Sequence, residues 1–420
     1  MKALFTLAAR SAWNRRFVLQ LVVLSIALST FLLLGIERIR TDVHENFSQS
    51  VSGTDLIVGA RTGSVQLLLY SVFRIGSATN NIRWRSVQAI AQQRAVAWVV
   101  PISLGDSHRG FPVVGTTTDY FAHFQYGDHQ PLGLAQGRLF DGVFDAVIGA
   151  DVAQRLHYQL GDRIVLAHGD GALAANDHAD KPFTVVGVLQ PTGTPVDRSV
   201  HISLAAMEAI HLDWVAGVPL PSMAVPANQV AAHDLTPKAV TAVLVGLKNR
   251  AAVFSVQRAV AEFDGEPLMA VLPGVALDEL WDVVGVGERG LLAMSLLVSL
   301  VSLAGLVAVI LAGLNERRRE LAILRAVGAG PRQVMLLLAA EGGLVTLSGV
   351  LLGLIAHIAA VGALGPWFQS QFGVALHLQV PGSAEWLLLG GVLGSGWLAS
   401  LLPGYRAYRL SLVDGLSPRV

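Results

Sequence analysis

Histidine and aspartate are the side chains of this sequence best suited to hold a metal ion, and most histidines lie before residue 289. The histidines there include His123, His129, His168, His178 and His201, with Asp119, Asp170, Asp177 and Asp180 near them in sequence. Imidazole and carboxylate groups are ligands of Zn²⁺ and related metals. No pair has the spacing of a recognised metal motif, so the sequence favours surface histidines and predicts no metal ligand, with a metal site as the alternative.

Several other kinds of chemistry are excluded by the residues present. The chain has 0 cysteines, which rules out disulfides, thiolate metal sites and cysteine nucleophiles. It contains no H-E-x-x-H zinc motif and no G-x-S-x-G elbow, and the glycine-rich stretch from Gly59 to Ser64 lacks the lysine of a phosphate-binding loop. The sequence therefore predicts that the chain is not an enzyme and has no ATP site of its own.

Composition places the chain in a membrane. Its 420 residues are 53% hydrophobic and only 14% charged, and the 30 basic residues equal the 30 acidic ones, so nothing indicates a nucleic-acid partner. Runs of about 20 apolar residues are long enough to cross a bilayer. The sequence has such runs at Phe17 to Ile36, Gly290 to Leu314, about Val334 to Leu364 and about Trp386 to Leu402. The first run could alternatively be a cleaved signal peptide, but it is followed by charged residues from Glu37 onward and not by the small residues of a cleavage site.

The distribution of arginine predicts how the spans are oriented. Basic residues gather in the N-terminal tail, in the loop after the second span and in the C-terminal tail, which are therefore expected in the cytoplasm. The loop 365–385 has no lysine or arginine, and the segment 37–289 is long enough to be translocated whatever its charge. We expect both segments on the extracytoplasmic side of the membrane.

The long segment between the first and second spans has the pattern of an α+β domain. Short β-like runs separated by turn residues are Asp55 to Ala60, Ala97 to Leu104, Phe111 to Thr117, Arg163 to Ala167, Phe183 to Leu189 and Ala239 to Leu247. Helices are predicted at Val87 to Arg94, Ala205 to His211 and Ala251 to Phe263. The predicted fold is a multi-pass α-helical membrane protein with four transmembrane helices and a large α+β extracytoplasmic domain inserted between helices 1 and 2.

The loop after the second span reads NERRRELAILRAVGAGPRQV, from Asn315 to Val334. It begins with charges, continues as an amphipathic helix and breaks from Gly328 to Pro331. The pattern alone leaves two interpretations open, a helix lying in the membrane interface or a docking element for a cytoplasmic partner.

Glu341 is an acid within the third span, roughly 13 Å along the helix from Arg332. An ionised acid at mid-membrane costs about 2.5 kcal/mol or more, so Glu341 is expected to be protonated, paired or turned to the bundle interior, and a packing role is favoured over a proton relay. Small-residue pairs at helical spacing, Gly349 with Gly353 and Gly390 with Gly394, would permit close helix packing.

The loop, the run Glu341-Gly342-Gly343-Leu344 and the run Leu402 to Ala407 resemble the FtsX-like, MacB-type permease family over about 285 to 415. Gly137 to Phe140, Val147 to Asp162 and Phe183 to Leu204 resemble the periplasmic core domain of the same permeases. The resemblance implies domains at 1–36 (interfacial helix and first span), 37–285 (core domain, with two subdomains) and 286–415 (FtsX-like), with a coupling loop at 315–333.

The resemblance also implies a function. Such permeases are ABC transporter or mechanotransmission subunits of the bacterial inner membrane, in which a dimer of a cytoplasmic ABC ATPase drives movement of the periplasmic domain and export or extraction of a substrate. Because this chain lacks a phosphate-binding loop, ATP and Mg²⁺ would be bound by that separate ATPase. The alternative function is an ATPase-driven adaptor that regulates a periplasmic partner such as a cell-wall hydrolase, without transport.

Further partners implied are a second permease protomer, as a copy or a paralogue, membrane lipids, and a periplasmic substrate or adaptor protein. Both termini are expected in the cytoplasm. The residues to which the resemblance assigns ATPase coupling are Glu316, Arg317, Arg318, Glu320, Leu321, Ile323, Leu324, Arg325, Val327 and Gly328.

Overall fold

The computed structural model describes residues 16–50, 52–127, 129–169, 177–215, 218–219, 222, 225–316, 325–326, 328–372 and 379–409. The chain divides into two compact units. The helical unit comprises Met1–Asp42, Val284–Phe368 and Leu376–Val420, and the sheet unit comprises Val43–Val283 and Gln369–Ala375. The predicted interfacial helix before Arg16 lies outside the described residues.

The helices and strands follow one another in an order that separates long helices from short mixed elements. The helices are α1 (Arg16–Gln49), α2 (Ser64–Ser71), α3 (Trp84–Ala91), α4 (Asp119–His123), α5 (Ala150–Leu156), α6 (Leu204–Ile210), α7 (Val253–Ala261), α8 (Pro273–Glu316), α9 (Pro331–Phe372) and α10 (Ser383–Arg409). The strands are β1 (Leu56–Ala60), β2 (Ile82–Arg83), β3 (Val96–Ile102), β4 (Asp106–His108), β5 (Phe111–Thr116), β6 (Gln125–Tyr126), β7 (Gln130–Pro131), β8 (Leu134–Gly137), β9 (Asp145–Ile148), β10 (Arg163–Ile164), β11 (Ala167–His168), β12 (Phe183–Leu189), β13 (Val200–Ser203), β14 (Trp214–Val215), β15 (Val218–Pro219), β16 (Ala239–Val240), β17 (Ala242–Leu247) and β18 (Leu268–Val271).

Four helices of the described chain are long and apolar enough to cross a membrane, which confirms the predicted number of spans. They cover Phe17–Glu45, Pro273–Ala312, Pro331–Phe368 and Ser383–Tyr405. The helices extend beyond the apolar runs because charged residues continue the same turns, as Glu37 and Arg38 do in α1. Proline at the start of α8 and of α9 suits a first helical turn, where the missing N–H would have no intrahelical acceptor.

One predicted glycine pair packs helices together and the other does not. A Cβ atom on Gly349 would lie 2.7 Å from the Ile26 side chain, and one on Gly353 would lie 2.6 Å from the Ala27 carbonyl oxygen, so α9 approaches α1 at its glycines. Cβ atoms on Gly390 and Gly394 would meet nothing within 4 Å. The first pair therefore has a packing role within the described chain.

Two larger sheets form the sheet unit. The four-stranded sheet has the order β18-β1-β17-β3, and the eight-stranded sheet has the order β10-β12-β9-β13-β5-β4-β11 with β8 also paired to β12. Most pairs are antiparallel, but β13 runs parallel to β5 and β9 runs parallel to β12. β11 is thus an edge strand beside β4.

Burial follows the hydropathy of the strands. All five residues of β1 are buried, whereas β12 buries alternate residues from Phe183 to Leu189, the period-2 pattern of a strand with one face on the core. That alternation explains why β12 was predicted with its observed bounds.

Two strand predictions were wrong in a way that matters for topology. The run Arg163 to Ala167 is divided into β10 and β11, which lie at opposite edges of the eight-stranded sheet. The run Ala239 to Leu247 is likewise divided at Thr241, since β16 pairs with β2 and β17 pairs with β1. A local apolar run does not specify its partner strand, because pairing is decided by contacts distant in sequence.

His201 is fully buried on β13, with its ring centroid 5.3 Å from that of Tyr120 and 5.7 Å from that of Phe121. Burial, assisted by the positive charge of Arg74, lowers the pKa of His201 to about 3. The imidazole is therefore neutral in the folded protein at neutral pH.

This burial predicts acid sensitivity. In the unfolded chain the pKa of His201 is near 6.5, well above its folded pKa of about 3. The contribution of the neutral His201 to the free energy of unfolding is therefore present above pH 6.5 and is lost as the pH falls below that value. Between pH 7 and pH 5 this loss should be about 2 kcal/mol. Thermal unfolding of the full-length chain in detergent at both pH values should show a smaller acid shift for His201→Gln than for the wild type. Equal shifts would contradict the assignment.

Candidate functional site

Four side chains that are far apart in sequence meet at the β4–β11 edge of the sheet unit. In the antiparallel pairing of these strands, His168 stands directly opposite Asp106. His178 lies at the same edge, where its backbone N–H donates to the Leu166 carbonyl oxygen at 2.8 Å. His211 directly follows α6. We refer to Asp106, His168, His178 and His211 as the edge cluster.

The distances within the edge cluster are short. His168 Nδ1 lies 2.9 Å from Asp106 Oδ1, and His211 Nε2 lies 3.5 Å from the same oxygen. His178 Nε2 is 3.9 Å from Asp106 Oδ1, and His211 Nε2 is 3.2 Å from His168 Nδ1. One atom from each of the four residues lies within 4.8 Å of the corresponding atom of the others.

Electrostatics hold the carboxyl group of the edge cluster in its ionised form. Burial favours the neutral acid, but interactions with the imidazoles of His168, His178 and His211 outweigh it and hold the pKa of Asp106 far below its usual range. Burial lowers the pKa of His211, yet the adjacent Asp106 and a hydrogen bond to the Met207 carbonyl raise it above its ordinary value. Asp106 is therefore an anion among three imidazoles.

Trp214 and a buried ion pair hold two of the histidine-bearing segments in place. The ring centroid of Trp214 lies 4.7 Å from that of His178 and 5.7 Å from that of His211. Lys181, which is buried, binds both carboxylate oxygens of Asp213 at 3.1 Å and Asp180 at 2.7 Å. Because Lys181 follows His178 and Asp213 follows His211, this ion pair fixes the two histidine segments against each other.

The histidines singled out from the sequence have different positions. His168 and His178 join the edge cluster, whereas His201 is in the core, His123 stacks on Trp98 and His129 contacts Gln125. Asp170 lies outside the described residues. Sequence reasoning did not select Asp106 or His211, because the four side chains come from separate segments and leave no local spacing to recognise.

Comparison of the sequence with models of known protein families shows to which family the chain belongs. The family model for a MacB-like periplasmic core domain matches residues 20–263, more than half of the chain. The family model for an FtsX-like permease C-terminal segment matches residues 292–412. The chain belongs to the MacB/FtsX-like family of ABC transporter permeases. In this family the ATPase activity lies in a partner subunit.

Relatives of this permease include a lipoprotein-releasing system transmembrane protein, LolC, of Neisseria meningitidis serogroup B, which is 26% identical over 315 residues, or 70% of this chain and 69% of the relative. The crystal structure of the periplasmic region of MacB from Actinobacillus actinomycetemcomitans is 13% identical, covers 56% of this chain and 96% of its own, and has a TM-score of 0.34. The crystal structure of the extracellular domain of the noncanonic ABC-type transporter YknZ from Gram-positive bacteria is 14% identical. It covers 52% of this chain and 98% of its own, and has a TM-score of 0.30.

The coupling residues predicted for this permease are mostly outside the described part of the chain. The residues outside it are Arg317, Arg318, Glu320, Leu321, Ile323, Leu324 and Val327. Glu316 is the last residue of α8, Arg325 is half-buried, and Gly328 adopts a left-handed φ of 105° before α9 begins. Only a glycine takes that conformation without strain, which accounts for the break predicted there.

Polar groups inside the helical unit of the permease are enclosed. Glu341 is buried, and at its neighbour Gly342 an added Cβ would lie 2.5 Å from the Ser400 Cβ, so α9 and α10 pack closely beside the acid. Elsewhere in this unit Arg38 lies 3.2 Å from Asp42 and 3.9 Å from Glu385, linking α1 to the first turn of α10. Pairing of these buried charges offsets the cost of removing them from water.

Proposed function

We propose that this permease couples ATP hydrolysis by a separate cytoplasmic ABC ATPase to movement of its extracytoplasmic sheet unit, and thereby exports or extracts a substrate outside the inner membrane. The observation that carries the proposal is the FtsX-like match over residues 292–412, which includes the loop between α8 and α9. That loop is the part of the proposed cytoplasmic face best suited to receive a partner.

The physical case for coupling rests on α8. This helix is continuous over 44 residues from Pro273 to Glu316, and a continuous helix is suited to pass a displacement at its Glu316 end along its length. The charged start of the loop, followed by apolar residues, suits a helix that lies in a partner groove.

The proposed orientation has both termini and the α8–α9 loop in the cytoplasm. The arginines of the α8–α9 loop support this orientation, and Arg325 and Arg332 are those in the described residues. The loop 365–385 contains no arginine or lysine, which also supports it. A second permease protomer, either a copy or a paralogue, and an ATPase dimer complete the proposed assembly. Because the LolC relative belongs to a lipoprotein-releasing system, a lipoprotein is the first substrate to test.

The test is purification of the full-length chain from its native membrane in mild detergent. The proposal predicts an ABC ATPase in equal amount and vanadate-sensitive ATP hydrolysis. A Leu324→Glu/Arg325→Glu double variant should bind the ATPase at least about 30-fold more weakly, because removing central contact side chains costs about 2 kcal/mol or more.

Arg289→Glu is the matched control, since Arg289 is exposed on α8 outside the loop. It should retain the ATPase and its hydrolysis. If both variants behave alike, or if purified wild-type chain neither carries an ATPase nor supports hydrolysis, the proposed coupling is wrong.

A further inference from the structure

The edge cluster has the dimensions of a tetrahedral metal site. With Zn–N and Zn–O bonds of about 2.0 to 2.1 Å, the ligand atoms of a tetrahedral site are separated by about 3.3 Å. Four of the six separations in the edge cluster are 2.9 Å, 3.2 Å, 3.5 Å and 3.9 Å, and all six are within 4.8 Å. Small side-chain movements would therefore place all four atoms around one ion.

The buried side chain of His178 is an independent indication that the edge cluster binds an ion. Its side chain is 1% exposed, and neither ring nitrogen has a hydrogen-bond partner among the described residues. The second oxygen of Asp106 is likewise buried without such a partner in that part of the chain. Burying unpaired polar atoms costs free energy, and an ion between Asp106 and His178 would compensate for it.

The hydrogen bonding of His211 prepares it to bind a metal. Its Nδ1 donates to the Met207 carbonyl at 2.8 Å, so in the neutral imidazole the lone pair is on Nε2, which faces Asp106 and His168. A backbone carbonyl that fixes the tautomer of a histidine is the usual outer partner of a metal-bound imidazole.

We propose that Asp106, His168, His178 and His211 form a binding site for one Zn²⁺ ion in the sheet unit. Three imidazoles and one carboxylate suit zinc, whereas Mg²⁺ and Ca²⁺ prefer all-oxygen sites. The side chains of His168 and His211 are 34% and 25% exposed, so the ion exchanges with solvent from one side. Trp214 packs against the imidazoles and restricts their movement. The proposal does not depend on ATPase coupling.

The experiment uses the full-length chain in detergent, stripped with a chelator and then titrated with ZnCl₂. Wild-type chain should retain about one zinc per chain after desalting, and zinc should raise its unfolding temperature. His168→Gln/His211→Gln should bind zinc at least about 100-fold more weakly. These two side chains are partly exposed, so the variant should fold; His178→Ala, which removes the buried ligand, is a second variant.

His233→Gln is the matched control, because His233 is exposed and outside the edge cluster. It should bind zinc as the wild type does. Co²⁺ titration adds a geometric readout, since tetrahedral cobalt absorbs far more strongly in the visible range than octahedral cobalt. No retained zinc in the wild type, or equal zinc binding by the double variant, would overturn the proposal and leave the edge cluster as a structural polar network only.

Discussion

Replacing Gly353 by leucine should destabilise the helical unit by roughly 3 kcal/mol or more. A Cβ atom at this position would lie 2.6 Å from the Ala27 carbonyl oxygen and 2.8 Å from Thr30 Cβ, so α9 would have to move away from α1. Helix association in lipid depends on close packing rather than on the hydrophobic effect, and the displaced contacts have no substitute. The measurement is the fraction of monodisperse protein left after heating in detergent, followed by size-exclusion chromatography.

Gly390→Leu provides the control for this change, because its Cβ would meet no atom of the described chain within 4 Å. It introduces the same side chain into a membrane helix and should melt within a few degrees of the wild type. Equal loss of stability in both variants would show that the contact between α9 and α1 is not what stabilises the unit.

Replacing Lys181 by methionine should destabilise the sheet unit by about 3 to 5 kcal/mol. Lys181 is fully buried and its ammonium group is the partner of Asp213, which is itself buried. Without the ammonium group, Asp213 is left as an uncompensated buried charge, whereas Asp180 is exposed and can be hydrated. The thermal unfolding midpoint of the full-length chain in detergent should fall accordingly.

Two further variants separate a buried charge from simple loss of a side chain. Lys181→Met/Asp213→Leu removes both charges and should recover most of the lost stability. Arg250→Met breaks the exposed pair with Asp55 and should cost at most about 1 kcal/mol. A single Lys181→Met variant as stable as Arg250→Met would contradict the assigned role of the ion pair.

The parts of the fold that were predictable are those encoded by nearby residues. The four spans follow from hydropathy over a single window, and β12 follows from alternation between Phe183 and Leu189. In contrast, α2 was not predicted, because its residues Leu67 to Tyr70 form a short apolar run with no clear period. Such runs take their structure from the core into which they pack.

The edge cluster could not be predicted for a related reason. His168 meets Asp106 through the register of β11 on β4, and that register depends on where the rest of the eight-stranded sheet places its edge. The sequence also predicts a single strand from Arg163 to Ala167. A single strand would place His168 beside β10, at the edge of the sheet opposite the one where β11 pairs with β4. The loop after the second span, by contrast, stands out by its local charge and hydropathy; its coupling role is implied by the resemblance and stays a prediction.

The contact of α1 with Gly349 and Gly353 has a consequence for how the protein is made. Thr30 leaves the ribosome roughly 320 residues before Gly353, an interval of about 15 to 60 s at usual translation rates. For most of that time, until α8 is made and its Ser302 can contact Ser25, α1 has to persist in lipid as a solitary helix. The Thr30 hydroxyl donates to the Ile26 carbonyl at 2.9 Å within the same helix, so its polar group is satisfied before the partner helix exists.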